Sequence, residues 1–503
     1  MPGLNKSASS GRYRKAGGRR RRTKIVATLG PATDDPAVLE QLIRAGADVL
    51  RLNFSHGAAK DQAERVDRVR SIAAKARRYV AIMGDLQGPK IRIESFATGV
   101  ARLEEGQSFI LDTAMDPLGG DEKAVRVAYS DLVRDVVPGD LLLLDDGQIV
   151  LQVEEVRGTQ IHCRVRTGGE LADHKGLNKQ GGGLSAPALT DKDRADLEAA
   201  ARLGIDFVSV SFARHAADIN EARELLRAAG GTAHVVAKIE RAEAVQNIRS
   251  IIDASDVIMV ARGDLAVEVG YAALTGLQKG LIRLARARNR VSITATQMLE
   301  SMIHHAAPTR AEVSDVANAV MDGTDAVMLS AETAVGQYPV QAVQTMSEVC
   351  IGAEKHETFR RAANYRLEDV FKYVDEAIAM AVMYTANHLK VKAIIALTES
   401  GSTTLWMSRL RSDIPIYAFT RHETTRRRVT LYRGVYPVPF DVVQNDPSLH
   451  QRVFEALLRD GAVQHGDLVL LTKGDVEGVP GRTNTMQILT VPPATPEGES
   501  GHA

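Results

Sequence analysis

The chain has 503 residues, enough for about three domains at roughly 150 residues each, and its 44% hydrophobic and 25% charged residues exclude disorder as its main character. Apolar runs such as those at 141–144 and 326–331 fall far short of the roughly 18 residues a membrane-spanning helix needs, so no membrane segment is expected. Two cysteines, Cys163 and Cys350, are too few for a disulfide framework or a thiolate zinc site, which suits a cytoplasmic protein whose metals are held mainly by oxygen.

The 63 basic and 63 acidic residues balance, yet residues 1–22 hold eight bases and no acid. This Gly/Ser/Arg-rich stretch predicts a solvated, disordered tail. It lacks the amphipathic face of an organelle presequence, and nucleic-acid binding is not expected of it.

From Thr23 onward a short β-rich run, a polar turn and a stretch of helical periodicity alternate. The runs are 24–29, 49–54, 80–86, 207–212, 234–240, 257–263, 291–297 and 326–333, and helices are predicted at 191–203, 215–229, 241–253, 271–289, 309–322 and 339–356. Strand–helix alternation calls for a parallel sheet with right-handed crossovers, and eight units close into a (β/α)8, or TIM, barrel. The fold class is therefore α/β, with the barrel built from 23–89 and 187–359. Between the third strand and its helix, residues 90–186 alternate apolar with polar and turn at Pro138-Gly139-Asp140 and Asp146-Gly147, so they predict an inserted small β-barrel placed as a lid. Residues 360–503 start a second pattern, with a helix at 375–389 and strands at 393–398, 415–420 and 467–472. They predict a C-terminal three-layer α/β domain of unassigned strand order.

Catalytic groups of such barrels project from the carboxyl ends of the strands. Those ends carry Arg51, Asn53 and Ser55 after the second strand, Asp85 after the third, and Lys238 and Glu240 after the fifth. Arg262, Gly263 and Asp264 follow the sixth, Thr296 the seventh and Glu332 the eighth. A lysine and several carboxylates converging on one mouth need a ligand or metal to offset their desolvation, the bland alternative being an ion-pair network at the rim. Glu240 and Asp264 end neighbouring strands, and two carboxylates without Cys or His suit Mg²⁺ or Mn²⁺, which keep waters and bind phosphate oxygens. Backbone N–H groups at the Gly263-Asp264 turn suit an anion such as a carboxylate.

The segments KIVATLGPAT, RLNFSHG, GDLQGPKIR, KIERAEAVQN, VARGDLAVE, TATQMLESMI, PTRAEVSDVANAV and MLSAETAVGQYP resemble the pyruvate kinase family, over nearly all of the chain from Thr23 to about Pro492. The resemblance implies phosphoryl transfer from phosphoenolpyruvate to ADP, giving pyruvate and ATP, in a homotetramer. It places the metal on Glu240 and Asp264. Lys238 would neutralise the moving phosphoryl group and Arg51 would hold it from the opposite side. The substrate carboxylate would lie on Gly263, Asp264 and Thr296, and Thr296 or its bound water would protonate the enolate. Asn53, His56, Arg92 and Lys175 would contact the nucleotide.

Many members have Thr-Lys-Gly-Pro-Glu after the strand-three Asp and require K⁺ near Asn53, Ser55 and Asp85, whereas this chain has Leu86-Gln87-Gly88-Pro89-Lys90. An ammonium at Lys90 takes the cation's electrostatic place, so potassium is not expected to be required. In the C-terminal domain, Thr398, Ser400, Gly401, Ser402, Thr403 and Thr404, with the segment from Gly481 to Asn484, match the family's site for a phosphorylated effector. Glu399 and the absence of Lys or Arg within that loop favour a nucleoside monophosphate or sugar monophosphate over a bisphosphate. Two rival readings are a barrel lyase or aldolase acting on an enolpyruvate-type substrate, which gives no reason for a lid, and a sugar-phosphate sensor without catalysis, which would have lost Lys238, Glu240 or Asp264.

Overall fold

The computed structural model describes residues 20–55, 57, 59–355, 371–410, 412–442, 446–474 and 481–493. Eight parallel strands close into a barrel: β1 (Lys24–Thr28), β2 (Val49–Asn53), β3 (Ala81–Asp85), β4 (Phe207–Val210), β5 (His234–Ile239), β6 (Val257–Ala261), β7 (Val291–Ala295) and β8 (Ala326–Leu329), with β8 pairing back onto β1. These strands are buried on both faces, which is why they read as near-continuous apolar runs. Val26, Met83, Phe207, Met259, Ile293 and Met328 fill the interior, and the outward faces pack on the helices.

Three of the barrel helices begin where the sequence supplies a side-chain cap. Asp35 accepts from the Ala37 N–H at 2.7 Å, and Thr190 and Thr309 form reciprocal capping boxes with Asp193 and Glu312. Two local departures from the periodicity matter for the site. The helix predicted at 241–253 breaks at Asn247 into Ala242–Gln246 and Ile248–Ala254, and a helix not predicted, Arg262–Val269, starts directly at the end of β6.

Residues inserted after β3 form a six-stranded sheet, whose edges are Leu177–Lys179 and Ala124–Arg126, and a two-stranded sheet, around one apolar core. Bridges Arg92↔Gly176 and Ile93↔Val127 seam those two edges, so the chain leaving β3 closes the sheet on itself. Gly88, at the exit from β3, has φ +65°, and a Cβ there would stand 2.9 Å from atoms of Ser211 and Phe212.

The C-terminal sheet has the order β11-β10-β9-β12-β13, with β9 (Ala393–Leu397), β10 (Ile416–Thr420), β11 (Val435–Pro439), β12 (Leu468–Gly474) and β13 (Thr483–Thr490). Only β13 runs antiparallel among these described strands. β11 and β13 are additional to the predicted strands. Pro437 and Pro439 are tolerated because β11 is an edge. One apolar cluster runs from the barrel interior into this domain through Met383, Ala396, Leu431 and Val435, so the C-terminal sheet closes the amino-terminal end of the barrel.

The predicted solvated tail is corrected at its last three residues. Arg20 lies over the rings of Tyr417 and Tyr436, at 5.5 and 5.4 Å, and Arg21 pairs with Asp48 at 2.8 Å. Arg22 pairs with Glu354 and Asp413 and donates to the Ser412 carbonyl at 2.7 Å. Arginines that meet acids on both the barrel and the C-terminal domain are structural pins. No helix among the described residues is long and apolar enough to cross a membrane.

Candidate active site

Lys238 projects from the carboxyl end of β5 with its side chain 13% exposed. Its Nζ lies 2.8 Å from Glu240 Oε1 and 3.6 Å from Asp85 Oδ1, and it donates to Ser211 Oγ at 2.8 Å. Burial pulls its pKa down, but Asp85 and Glu240 outweigh burial and the repulsion of Arg51, so the ammonium is held above its usual range. Arg51, on β2, turns its Nε to Asp85 Oδ2 at 2.7 Å and its NH1 to Thr28 Oγ1 at 3.2 Å. Asp85 therefore stands between the two cations, and its Oδ1 is buried without a hydrogen bond.

Glu240 receives the Phe212 N–H on Oε2 at 2.7 Å. Burial drives its pKa up, and the nearby charge of Asp264 adds to that shift. Two carboxylates close enough for one to act on the other's charge, with no third His, Cys, Asp or Glu grouped with them among the described residues, fit a hard divalent cation completed by water and substrate oxygens. Asp264 opens the helix Arg262–Val269, where Gly263 N–H donates to Thr296 Oγ1 at 2.9 Å.

The turn after β7 is strained. Thr296 and Gln297 have φ of +68° and +52°, and Phe212 after β4 has +54°; such conformations cost of order 1–3 kcal/mol each in a non-glycine residue. Arg262 holds the β7 turn in place: its NH2 donates to the Thr296 carbonyl at 2.7 Å and its NH1 to Asp315 Oδ1 at 2.7 Å. Ser211 is a residue whose part in the site the sequence did not reveal, while Arg262, expected at the mouth, serves there as the brace of the β7 turn. A small polar residue directly after the carboxyl end of strand four was the available signal for Ser211.

Several of the expected residues have partners in the structure that the sequence did not show. Lys90, expected beside Asn53, Ser55 and Asp85, has its ammonium 3.3 Å from Asp264 Oδ1, because the β3 exit carries it towards the β6 end of the mouth. Asn53 Oδ1 instead accepts the Ser55 N–H at 3.1 Å. Glu332, counted among the mouth carboxylates, accepts from the backbone of Leu299 and Ser330 at 3.1 and 2.7 Å and braces two loops. Arg92 donates to the His174 carbonyl at 2.8 Å and Lys175 pairs with Asp145 at 2.8 Å, both within the inserted domain. His56 lies outside the described residues.

In the C-terminal loop, Thr403 and Thr404 are buried. Thr403 shares a 2.7 Å hydroxyl–hydroxyl hydrogen bond with Thr483, and Thr404 donates to the Gly401 carbonyl at 2.7 Å. They build the loop, and the half-buried Thr398, Ser400 and Ser402 form its outer face. Positive charge missing from the loop itself comes from the end of β10, where Arg421 pairs with Glu399 and His422 hydrogen-bonds the same carboxylate.

A (β/α)8 barrel whose mouth gathers a buried lysine, an arginine and a carboxylate pair under an inserted β-domain is built to handle an anionic substrate with a divalent metal. The sequence matches the families "Pyruvate kinase, barrel domain" over residues 20–343 and "Pyruvate kinase, alpha/beta domain" over 376–489. It is 56% identical over 479 residues to "Pyruvate kinase II" of Salmonella typhimurium (94% of this chain, 99% of that protein), and 52% identical over 477 residues to "Pyruvate kinase" of Haemophilus influenzae, with the same coverage. A "Pyruvate kinase" of Geobacillus stearothermophilus is 42% identical over 475 residues, covering 94% of this chain and 81% of that protein. The chain belongs to the pyruvate kinase family.

Proposed function

We infer that the chain transfers the phosphoryl group of phosphoenolpyruvate to ADP, the last step of glycolysis. The observation that carries this reading is Lys238, kept charged between Asp85, Glu240 and Ser211 at the barrel mouth. Glu240 and Asp264 would hold Mg²⁺ or Mn²⁺, which when bound would supply Lewis-acid neutralisation of the substrate oxygens. Arg51 forks onto the phosphoryl oxygens from the β2 side, and Lys238 counters the charge that spreads over them in flight. The phosphorus–enol oxygen bond breaks, a bond from phosphorus to a terminal oxygen of ADP forms, and the enolate takes a proton at its methylene carbon. The Asp264 N–H receives the substrate carboxylate together with the Gly263 N–H and the Thr296 hydroxyl, which exchange their present hydrogen bonds for it, and Thr296 or a water on it delivers that proton.

Residues 90–186 act as a lid over this mouth, bringing Arg92 and Lys175 to the nucleotide beside Asn53 and His56. The approach of the lid turn Asp145–Gly147 to Val267, 4.0 Å from a Cβ on Gly147, supports this placement. Lys90 supplies the positive charge that a monovalent cation supplies elsewhere, now delivered at Asp264, and catalysis does not require K⁺. The outer face of the 398–404 loop, with Arg421, His422 and Arg482, binds a nucleoside or sugar monophosphate. Tyr373, Val374 and Tyr384 on or beside the helix Val374–His388 are 60%, 64% and 45% exposed, which supports self-association through that face into a homotetramer.

A lactate-dehydrogenase-coupled assay with phosphoenolpyruvate, ADP and Mg²⁺ tests the activity: NADH oxidation that depends on all three is expected, and none at any substrate concentration would overturn the reading. Ser400→Glu with Ser402→Glu tests the effector loop, since added negative charge there removes activation by a phosphate ester while saturated catalysis persists.

A further inference from the structure

The helix Glu423–Arg428 ends in three consecutive arginines, and each lands at the amino end of a successive barrel strand. Arg426 lies 5.1 Å over the ring of Tyr79, two residues ahead of β3. Arg427 Nε donates to Asp206 Oδ1 at 2.8 Å, directly ahead of β4. Arg428 donates to the carbonyl of Thr232, two residues ahead of β5. Asp206 is itself a junction: its Oδ2 accepts from the Ile82 N–H of β3 and from Arg70, both at 2.9 Å, and its carbonyl accepts from the His234 N–H of β5 at 3.0 Å. At their carboxyl ends β3, β4 and β5 lead to Asp85, Ser211 and Lys238, the groups that surround the phosphoryl site.

The other end of this helix is bound to the 398–404 loop. Thr425 Oγ1 donates to the Glu399 carbonyl at 2.7 Å, and His422 hydrogen-bonds the Glu399 carboxylate. Gly401 sits so close to the helix and the turn after it that a Cβ would meet Val429 at 2.9 Å and Thr425 at 3.5 Å. Loop and helix are packed against one another here, so a shift of the loop bears on the helix. Packed elements of this kind pass displacement as rigid bodies.

We propose that the helix Glu423–Arg428 is a lever coupling the 398–404 loop to the phosphoryl site, with Arg426, Arg427 and Arg428 as positioning residues at the amino ends of β3, β4 and β5. The proposal rests on the effector reading of that loop and adds the route by which it reaches catalysis. Arg427 carries the largest share, because Asp206 ties it to two further strands at once. The lever touches no substrate and acts only through strand placement.

The test uses the full-length enzyme with Mg²⁺ and two probes, AMP and ribose 5-phosphate, titrated calorimetrically with and without phosphoenolpyruvate. Binding linkage requires phosphoenolpyruvate to tighten the probe by the same factor as the probe tightens phosphoenolpyruvate, typically about 5- to 150-fold. Arg427→Gln is expected to bind the probe alone with native affinity and to keep the native rate at saturating phosphoenolpyruvate, while the coupling factor falls to about 1. Arg427→Lys, which restores the charge, should recover part of the coupling. Arg428→Gln should also lower it, and it carries the test if Arg427→Gln loses its fold. Native coupling in both glutamine variants would overturn the lever and leave the effector loop standing. Failure of both probes to bind the native enzyme would instead remove the loop's effector role and the lever with it.

Discussion

The two ends of the barrel carry buried charge of the same kinds and use it in opposite ways. At the amino-terminal end Arg409 meets Asp325 with both terminal guanidinium nitrogens, the side chains of both residues being 2% exposed, and Asp325 also accepts the Ser292 N–H at 2.9 Å. At the carboxyl end Asp85 stands between Arg51 and Lys238 with one oxygen lacking a hydrogen bond, and three nearby residues hold left-handed backbone without being glycine. A buried charge whose hydrogen bonds are complete ties the structure together. One left incomplete in a strained frame has geometry reserved for a ligand. Charge content therefore does not locate the active site; the setting of Asp85, between two cations with one oxygen unbonded and beside strained turns, marks it.

Removing a metal carboxylate should break the contrast most severely. Glu240→Gln or Asp264→Asn is expected to weaken Mn²⁺ binding at least about tenfold and to slow turnover by about 10³-fold, since loss of one ligand removes fixed charge that the developing transition state needs. Paramagnetic titration of free Mn²⁺ and the coupled assay measure the two effects. At the opposite end, Arg409→Met strands Asp325 as an uncompensated buried charge and should cost about 3–5 kcal/mol of stability. Thermal unfolding should show this loss while turnover per folded molecule stays native.

Sequence alone located the barrel because its strands are buried on both faces and so form continuous apolar runs, and the mouth residues follow from their places at strand ends. Contacts over long sequence separations were not legible. Lys90 and Asp264 are 174 residues apart, and Arg22 and Asp413 are 391 apart, so nothing local shows that the first ammonium turns to β6 or that the arginine run ends in acid partners. The loop hydroxyls of Thr403 and Ser402 are adjacent and chemically alike, and only the packing of β13 decides which one turns inward. The strands β11 and β13 escaped notice because one contains two prolines and the other, TNTMQILT, alternates weakly.

Lys90 sharpens the comparison within the mouth itself. Initial rates in K⁺ salts and in tetramethylammonium salts at matched ionic strength should agree for the native enzyme, while Lys90→Glu should be slow without K⁺ and at least partly rescued by it. A native enzyme inactive until K⁺ is added would show that the lysine does not serve as the cation.

The smallest expected effect concerns Glu268, buried where the returning lid strand meets the barrel. Its Oε2 accepts the Ala242 N–H at 2.8 Å, and burial lifts its pKa to about 7 against the pull of Arg241. An acid whose pKa is raised on folding binds more protons folded than unfolded between its unfolded value near 4.5 and about 7, so its contribution is full below that window and is lost as pH rises through it. The loss is about 1–3 kcal/mol. Glu268→Gln should flatten this segment of the stability-versus-pH curve, read by hydrogen exchange at residues 178–183 between pH 5.5 and 8.

The most direct test of the catalytic assignment is the rate of pyruvate formation by Lys238→Met at saturating phosphoenolpyruvate, ADP and Mg²⁺, in protein whose melting temperature and Mn²⁺ affinity are measured on the same preparation. The ammonium matters chiefly while the phosphoryl group is in flight, so turnover should fall by about 10³-fold or more with melting and metal binding retained. Near-native turnover in that variant would contradict the account, because the charge at the centre of the mouth would then serve packing alone.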